Sequence, residues 1–133
     1  MNFLLDTNIL FFCVYDPDKL KPKVRGLIED MKNTFYFSSV SIWEVAIKAK
    51  LGRENFDVSP YEFRHALLQM KMKELVLNSE HALCISTLPD TLHQDPFDRI
   101  LIAQSRNEGF VFITHDKIII EKAQGYIHVL SNR

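Results

Sequence analysis

The sequence is short of the features that mark special architectures. It holds two cysteines, Cys13 and Cys84, in apolar contexts (LFFCVY and ALCIST) with no CxxC pair. That argues against a disulfide framework and predicts two buried free thiols in a reducing compartment. Four glycines and five prolines form no flexible linker, and no segment repeats or is low in complexity. No apolar run approaches the roughly 20 residues that span a bilayer. Asp6 breaks the apolar start MNFLLDTN, so neither a membrane anchor nor a signal peptide is expected, and the cytoplasm is the expected compartment. A formal net charge of −1 argues against a uniformly basic nucleic-acid surface, while leaving room for a basic rim around an acidic centre.

What is present is ordinary globular material. The chain has 133 residues, 47% of them hydrophobic and 25% charged, enough for a real core in one domain spanning residues 1–133. Strand-like and helical segments alternate. Asn2–Leu5, Thr34–Phe37, Glu74–Leu77, Phe110–Thr114 and Tyr126–Leu130 read as strands. Asn8–Val14, Leu20–Lys32, Ser41–Leu51, Tyr61–Lys73, Glu80–Leu88, Pro96–Asn107 and Lys117–Ala123 read as helices, with Gly52 and Gly109 as stops. Such alternation predicts an α/β fold, a mostly parallel central sheet with helices on both faces. Ligands of such folds bind outside the carboxyl ends of the strands.

Four acids meet that rule. Asp6 follows the first strand directly, and Asp116 follows FVFIT by one residue. Glu44 lies in the first turn after TFYF, and Asp98 in the first turn of the helix that precedes FVFIT. From Asp98 the helix runs about 15 Å to Gly109. The strand then returns roughly 16 Å, which sets Asp98 and Asp116 at one level. Whether the acids also lie side by side depends on strand order, which periodicity does not supply.

Each acid has a bland reading. Ser41-Ile42-Trp43-Glu44 fits a capping box. Asp95 fits an N-cap with Pro96 as first helical residue, and Asp98 complements the helix dipole. Asp6 or Thr7 fits a cap of the first helix, and Asp116 a cap of the helix after it. Jointly, carboxylates brought within a few ångströms repel, and a bound cation removes the penalty. Oxygen donors without His or Cys partners point to Mg²⁺ or Mn²⁺, and thus to phosphodiester chemistry.

With LLDTN at the start, SIWEVAIKAKLG in the middle, DPFDRILIAQ followed by EGF, and ITHD near the end, the chain resembles PIN-domain proteins over nearly its whole length. The likeness is greatest to the VapC-like toxins of bacterial toxin–antitoxin pairs. The resemblance implies a PIN-type α/β fold and a metal-dependent ribonuclease, often a homodimer and held inactive by an antitoxin. It implies Asp6, Glu44, Asp98 and Asp116 as the catalytic, metal-holding acids, with Mg²⁺ as cofactor and Mn²⁺ as a possible substitute. Asp95 belongs to a DPFDR variant and is a possible accessory. Hydrolysis would use a metal-activated water and leave a 5′-phosphate and a 3′-hydroxyl.

Around these acids, Thr7, Asn8 and Thr114 are polar neighbours, with helix capping the preferred role for Thr7 and Asn8. Lys48 fits an ion pair with Glu44; Lys48, Lys50, Arg53 and Arg99 are candidate RNA contacts. His93 and His115 read as structural, Trp43 as a core residue, and the Phe63, Leu67, Met70 stripe as core or partner surface. Two other readings compete. A phosphoacceptor signalling module needs paired acids after the first strand and an aspartate after a middle one, yet Asp6 stands alone and ELVL is followed by Asn78. A non-catalytic RNA-binding or assembly module is disfavoured by the intact acids.

Overall fold

A computed structural model describes residues 1–52 and 57–133. Among them, five strands form one sheet: β1 (Asn2–Leu5), β2 (Thr34–Ser38), β3 (Lys73–Leu75), β4 (Val111–Thr114) and β5 (His128–Ser131). The helices are α1 (Thr7–Tyr15), α2 (Pro22–Glu29), α3 (Ser39–Lys50), α4 (Pro60–Gln69), α5 (Ser79–Cys84), α6 (Pro96–Glu108) and α7 (Lys117–Lys122). Short 3₁₀ turns cover Pro17–Lys19 and Ile85–Thr87. Every pairing is parallel, in the order β3-β2-β1-β4-β5. The expected α/β class is therefore found, as an all-parallel sheet.

The period-two alternation of the strands divides the core into two layers. Phe3, Leu5, Phe35, Phe37 and Ile113 face one side and pack with Ile9 and Leu10 of α1, Val24 of α2, Val45 of α3, and Phe63 and Leu67 of α4. Leu4 and Phe112 face the other side, with Leu101 and Ile102 of α6 and Ile119 of α7. The chain moves outward from β1 to β3, then crosses back to lay β4 on the other side of β1. The strand order thus reverses between β1 and β4, and the carboxyl ends of those two strands form the crevice typical of such sheets.

Local chemistry moves several boundaries from those read in the sequence. Pro22 starts α2 two residues late, and the helix stops at Glu29, leaving Met31 98% exposed. Lys71 takes φ 67°, so α4 ends at Gln69 and Met70 is exposed outside the core. β3 is pulled forward to Lys73 by its pairing with Tyr36–Ser38 of β2. Tyr126 and Ile127 donate their amides to Ala123 and belong to a turn, which delays β5 to His128. Both thiols are free. Cys13 is buried, but Cys84 is only half-buried, because α5 keeps one side in solvent, with Leu83 exposed beside it. Among the described residues no helix is long and apolar enough to cross a membrane.

Candidate active site

Asp6 ends β1 and caps α1. Its Oδ1 accepts the Thr7 amide (2.8 Å), and its own amide donates to Ile113 of β4 (2.9 Å). Its Oδ2 accepts the Thr114 hydroxyl at 2.7 Å, and the same hydroxyl oxygen accepts the Asp116 amide at 3.0 Å. One threonine at the end of β4 therefore orients the Asp6 carboxylate and anchors the backbone of Asp116. Asp116 in turn caps α7, accepting the Ile119 amide (3.0 Å).

Glu44 is buried on α3. Its Oε1 accepts the Thr7 hydroxyl (2.9 Å) and its Oε2 accepts Lys48 Nζ (2.9 Å). Thr7 has one hydroxyl proton, so the 2.8 Å contact with Ser41 places Ser41 as donor to Thr7. The capping box that Ser41–Glu44 would fit as the alternative reading does not form. The helix starts two residues earlier, with Ser38 accepting the Val40 amide, which puts Ser41 inside the helix and frees Glu44 for the site. Thr7 likewise does not cap: Asp6 does, and Thr7 holds Glu44. Asn8 is exposed and caps nothing. It borders a cavity of about 360 Å³ that runs from Thr7 and Lys48 to Phe11, Tyr15 and Val58.

Asp98 arrives by the helix start read from the sequence. Asp95 accepts the amides of Phe97 (2.8 Å) and Asp98 (3.3 Å), Pro96 opens α6, and Gly109 closes it at φ 73°. Burial raises the Asp98 carboxyl to about 8, with the charges of Asp6, Asp95, Asp116 and Glu44 adding to it. Burial also raises Asp6, to about 6, helped by Glu44 and Asp116 and opposed by the hydrogen bonds from Thr114 and Thr7. The four acids thus feel one another across the crevice. The set is dominated by carboxylate oxygens, and burial together with like charge makes two of its members resist ionisation. That is the donor chemistry of a hard divalent ion.

One neighbour was read as merely structural. His93 Nε2 lies 3.2 Å from Asp98 Oδ2 and 3.4 Å from Asp116 Oδ2. The three residues turn ligand-type atoms to within 4.8 Å of one another. Its position two residues before the helix-capping Asp95 was the available signal. Trp43 is also corrected. It is 52% exposed and meets the Phe97 ring edge-on at 5.0 Å, because the helix face that buries Glu44 turns residue 43 outward. Arg99 is engaged within the loop: its guanidinium donates to the carbonyls of Pro89, His93 and Leu88. Lys48 makes the expected ion pair and stays partly exposed, Lys50 is exposed, and Arg53 lies outside the described residues. His115 is structural as expected, bonded to the Asn132 carbonyl (2.9 Å).

Several solved structures share this fold. A chain of the DNA-bound VapBC from Salmonella typhimurium superposes with a TM-score of 0.72 at 16% identity, covering 100% of this chain and 99% of that one. VapBC-1 from nontypeable Haemophilus influenzae gives 0.66 at 19%, covering 98% of each. VapBC-5 from Mycobacterium tuberculosis, a member of the VapBC family of toxin–antitoxin systems, gives 0.57 at 15%, covering 99% and 98%. At these identities the likeness is one of fold. No curated protein matches the sequence. The family model described as the PIN domain matches residues 3–125, and the chain therefore belongs to the PIN-domain family.

Proposed function

We propose that this chain is a divalent-metal-dependent ribonuclease and the toxin member of a toxin–antitoxin pair. The observation that carries the reading is the convergence of Asp6, Glu44, Asp98 and Asp116 at the switch point, with Asp6 and Asp98 held above the ordinary carboxylate range by burial first and by neighbouring carboxylates second. Asp6, Glu44 and Asp98 would hold the ion, with Asp116 beside them; Mg²⁺ fits the oxygen donors, and Mn²⁺ would substitute. Bound there, such an ion supplies an activated water and offsets charge on the scissile phosphate.

The protein's own groups prepare that chemistry. Thr114 aims Asp6 and anchors the Asp116 amide, while Thr7 and Lys48 fix the two oxygens of Glu44. The exposed part of Lys48 offers a cationic contact for a backbone phosphate beside Glu44, and Lys50 is a further exposed candidate on the same helix. Asp95 serves as the cap that positions Asp98. RNA as substrate and a homodimer as the working form follow the PIN-family resemblance. An antitoxin partner follows the toxin–antitoxin complexes among the structural relatives. The cavity between α1 and α3 is a docking candidate for that partner, since it sets Phe11, Tyr15 and Val58 beside Lys48.

Mapping of cellular RNA ends after expression tests this directly. Wild type is expected to generate new 5′-phosphate ends at defined positions, and Asp6→Asn to generate none while remaining folded. Identical end profiles for the two proteins would refute the nuclease reading.

A further inference from the structure

The loop ahead of α6 carries a histidine that the acid pattern does not use. The His93 side chain is 11% exposed, and its ring is held on both sides. The Asp95 amide donates to Nδ1 at 3.0 Å, so Nδ1 carries the lone pair and the ring proton sits on Nε2. Nε2–H then points at Asp116 Oδ2 (3.4 Å), with Asp98 Oδ2 at 3.2 Å. The loop is itself pinned, because Arg99 donates to the carbonyls of His93 and Pro89 from Nη1, and to that of Leu88 from Nη2.

By distance alone, His93, Asp98 and Asp116 form a ligand triad. The hydrogen-bond directions argue otherwise. A ring nitrogen ligates an ion through a lone pair, and the lone pair here is already taken by a backbone amide. Coordination through Nε2 would move the proton to Nδ1, where it would face the Asp95 N–H head-on. The cap of α6 thus does two things: its side chain starts the helix, and its amide sets the histidine tautomer.

We propose that His93 is a positioning residue of the acidic edge and not a metal ligand: its Nε2–H draws Asp98 and Asp116 together and keeps nitrogen out of the coordination sphere. This rests on the metal reading above. It adds a prediction about metal choice, since an all-oxygen set suits Mg²⁺, whereas an imidazole ligand would favour later transition metals.

The test uses the whole protein, with Mn²⁺ as the spectroscopic probe. Heteronuclear NMR of the His93 ring is expected to show Nε2 protonated and Nδ1 bare, both without metal and with saturating Mg²⁺. Pulsed EPR of bound Mn²⁺ is expected to show no directly coordinated nitrogen. His93→Leu is expected to weaken Mg²⁺ binding by about ten- to a hundredfold. His93→Gln, which keeps an N–H donor of similar reach, should recover most of that loss. Coordinated nitrogen in the wild-type spectrum would overturn the inference alone and leave the metal reading standing. A protonated Nδ1, or an unchanged affinity in His93→Leu, would overturn it too. If the leucine variant does not fold, the two wild-type spectra still decide. Absence of Mn²⁺ binding would overturn the metal reading, and this inference with it.

Discussion

His81 and His93 are built alike and surrounded differently. Each accepts a backbone amide at Nδ1, from Asn78 (3.2 Å) and Asp95 (3.0 Å) respectively. Each turns Nε2 on a carboxylate, Glu108 at 2.9 Å and Asp116 at 3.4 Å. His81 is fully buried between α5 and α6. Beyond Glu108 it meets the neutral amide of Gln104, which is tied in turn to Ser38. One donor faces one carboxylate, and the network closes. His93 faces two carboxylates, with Asp6 and Glu44 coupled behind them. The same local device makes a fastening where charges balance and leaves an edge of excess negative charge where they do not.

Exchanging acids between the two regions should separate them most widely. Asp98→Asn is expected to lower RNA cleavage by about a hundred- to a thousandfold with the fold retained, whereas Glu108→Gln should leave cleavage unchanged and cost stability. Parallel cleavage assays and urea titrations check both halves. Stability should then rank the histidines in the opposite order. His81→Ala is expected to cost about 2–4 kcal/mol, since it opens a buried cavity and strands Glu108. His93→Ala should cost less than about 1 kcal/mol, because it removes a donor from an edge that water reaches.

The acidic edge should also reveal itself through pH. Asp6 at about 6 and Asp98 at about 8 both lie above the ordinary 3.8. The folded protein therefore keeps protons that the unfolded chain has released. The stability these groups contribute is complete below about pH 4 and is lost as pH rises through 6 and 8. The slope is at most about 1.4 kcal/mol per pH unit for each proton retained. Metal-free protein should lose urea resistance across that range, and millimolar Mg²⁺ should offset the loss. A smaller pH dependence is expected for Thr114→Val, which strips Asp6 of its 2.7 Å donor and the Asp116 amide of its acceptor. The lost acceptor costs the same at every pH, whereas the lost donor should add about 1 kcal/mol near pH 8 over the cost near pH 5, where Asp6 is mostly protonated.

The sequence was most legible where local chemistry decides. Asp95-Pro96 and Gly109 announced both ends of α6, and the aromatic and β-branched runs announced the strands. The level of Asp98 against Asp116 followed from rise per residue alone. It was least legible where distant segments meet. Placing β4 beside β1 is a matter of sheet order, which no periodicity encodes, and it is this step that brings Asp116 to Asp6. Ser41 fitted a cap by its spacing to Glu44, but the helix starts from Ser38, which turned Glu44 inward and Trp43 outward. Nothing local to Arg99 announced its bonds to the loop carbonyls of Leu88, Pro89 and His93. His93 needed the loop's path to bring it back over Asp98 and Asp116.

A calorimetric Mg²⁺ titration near pH 7, repeated in two buffers of different ionisation enthalpy, tests the central claim most directly. An acidic edge that binds a cation predicts binding accompanied by proton release, because Asp98, raised to about 8 by burial, must ionise to take part. Both the binding and the released proton should be lost or sharply reduced in Asp98→Asn. No binding at millimolar Mg²⁺ or Mn²⁺, or binding that releases no proton and survives Asp98→Asn, would contradict it.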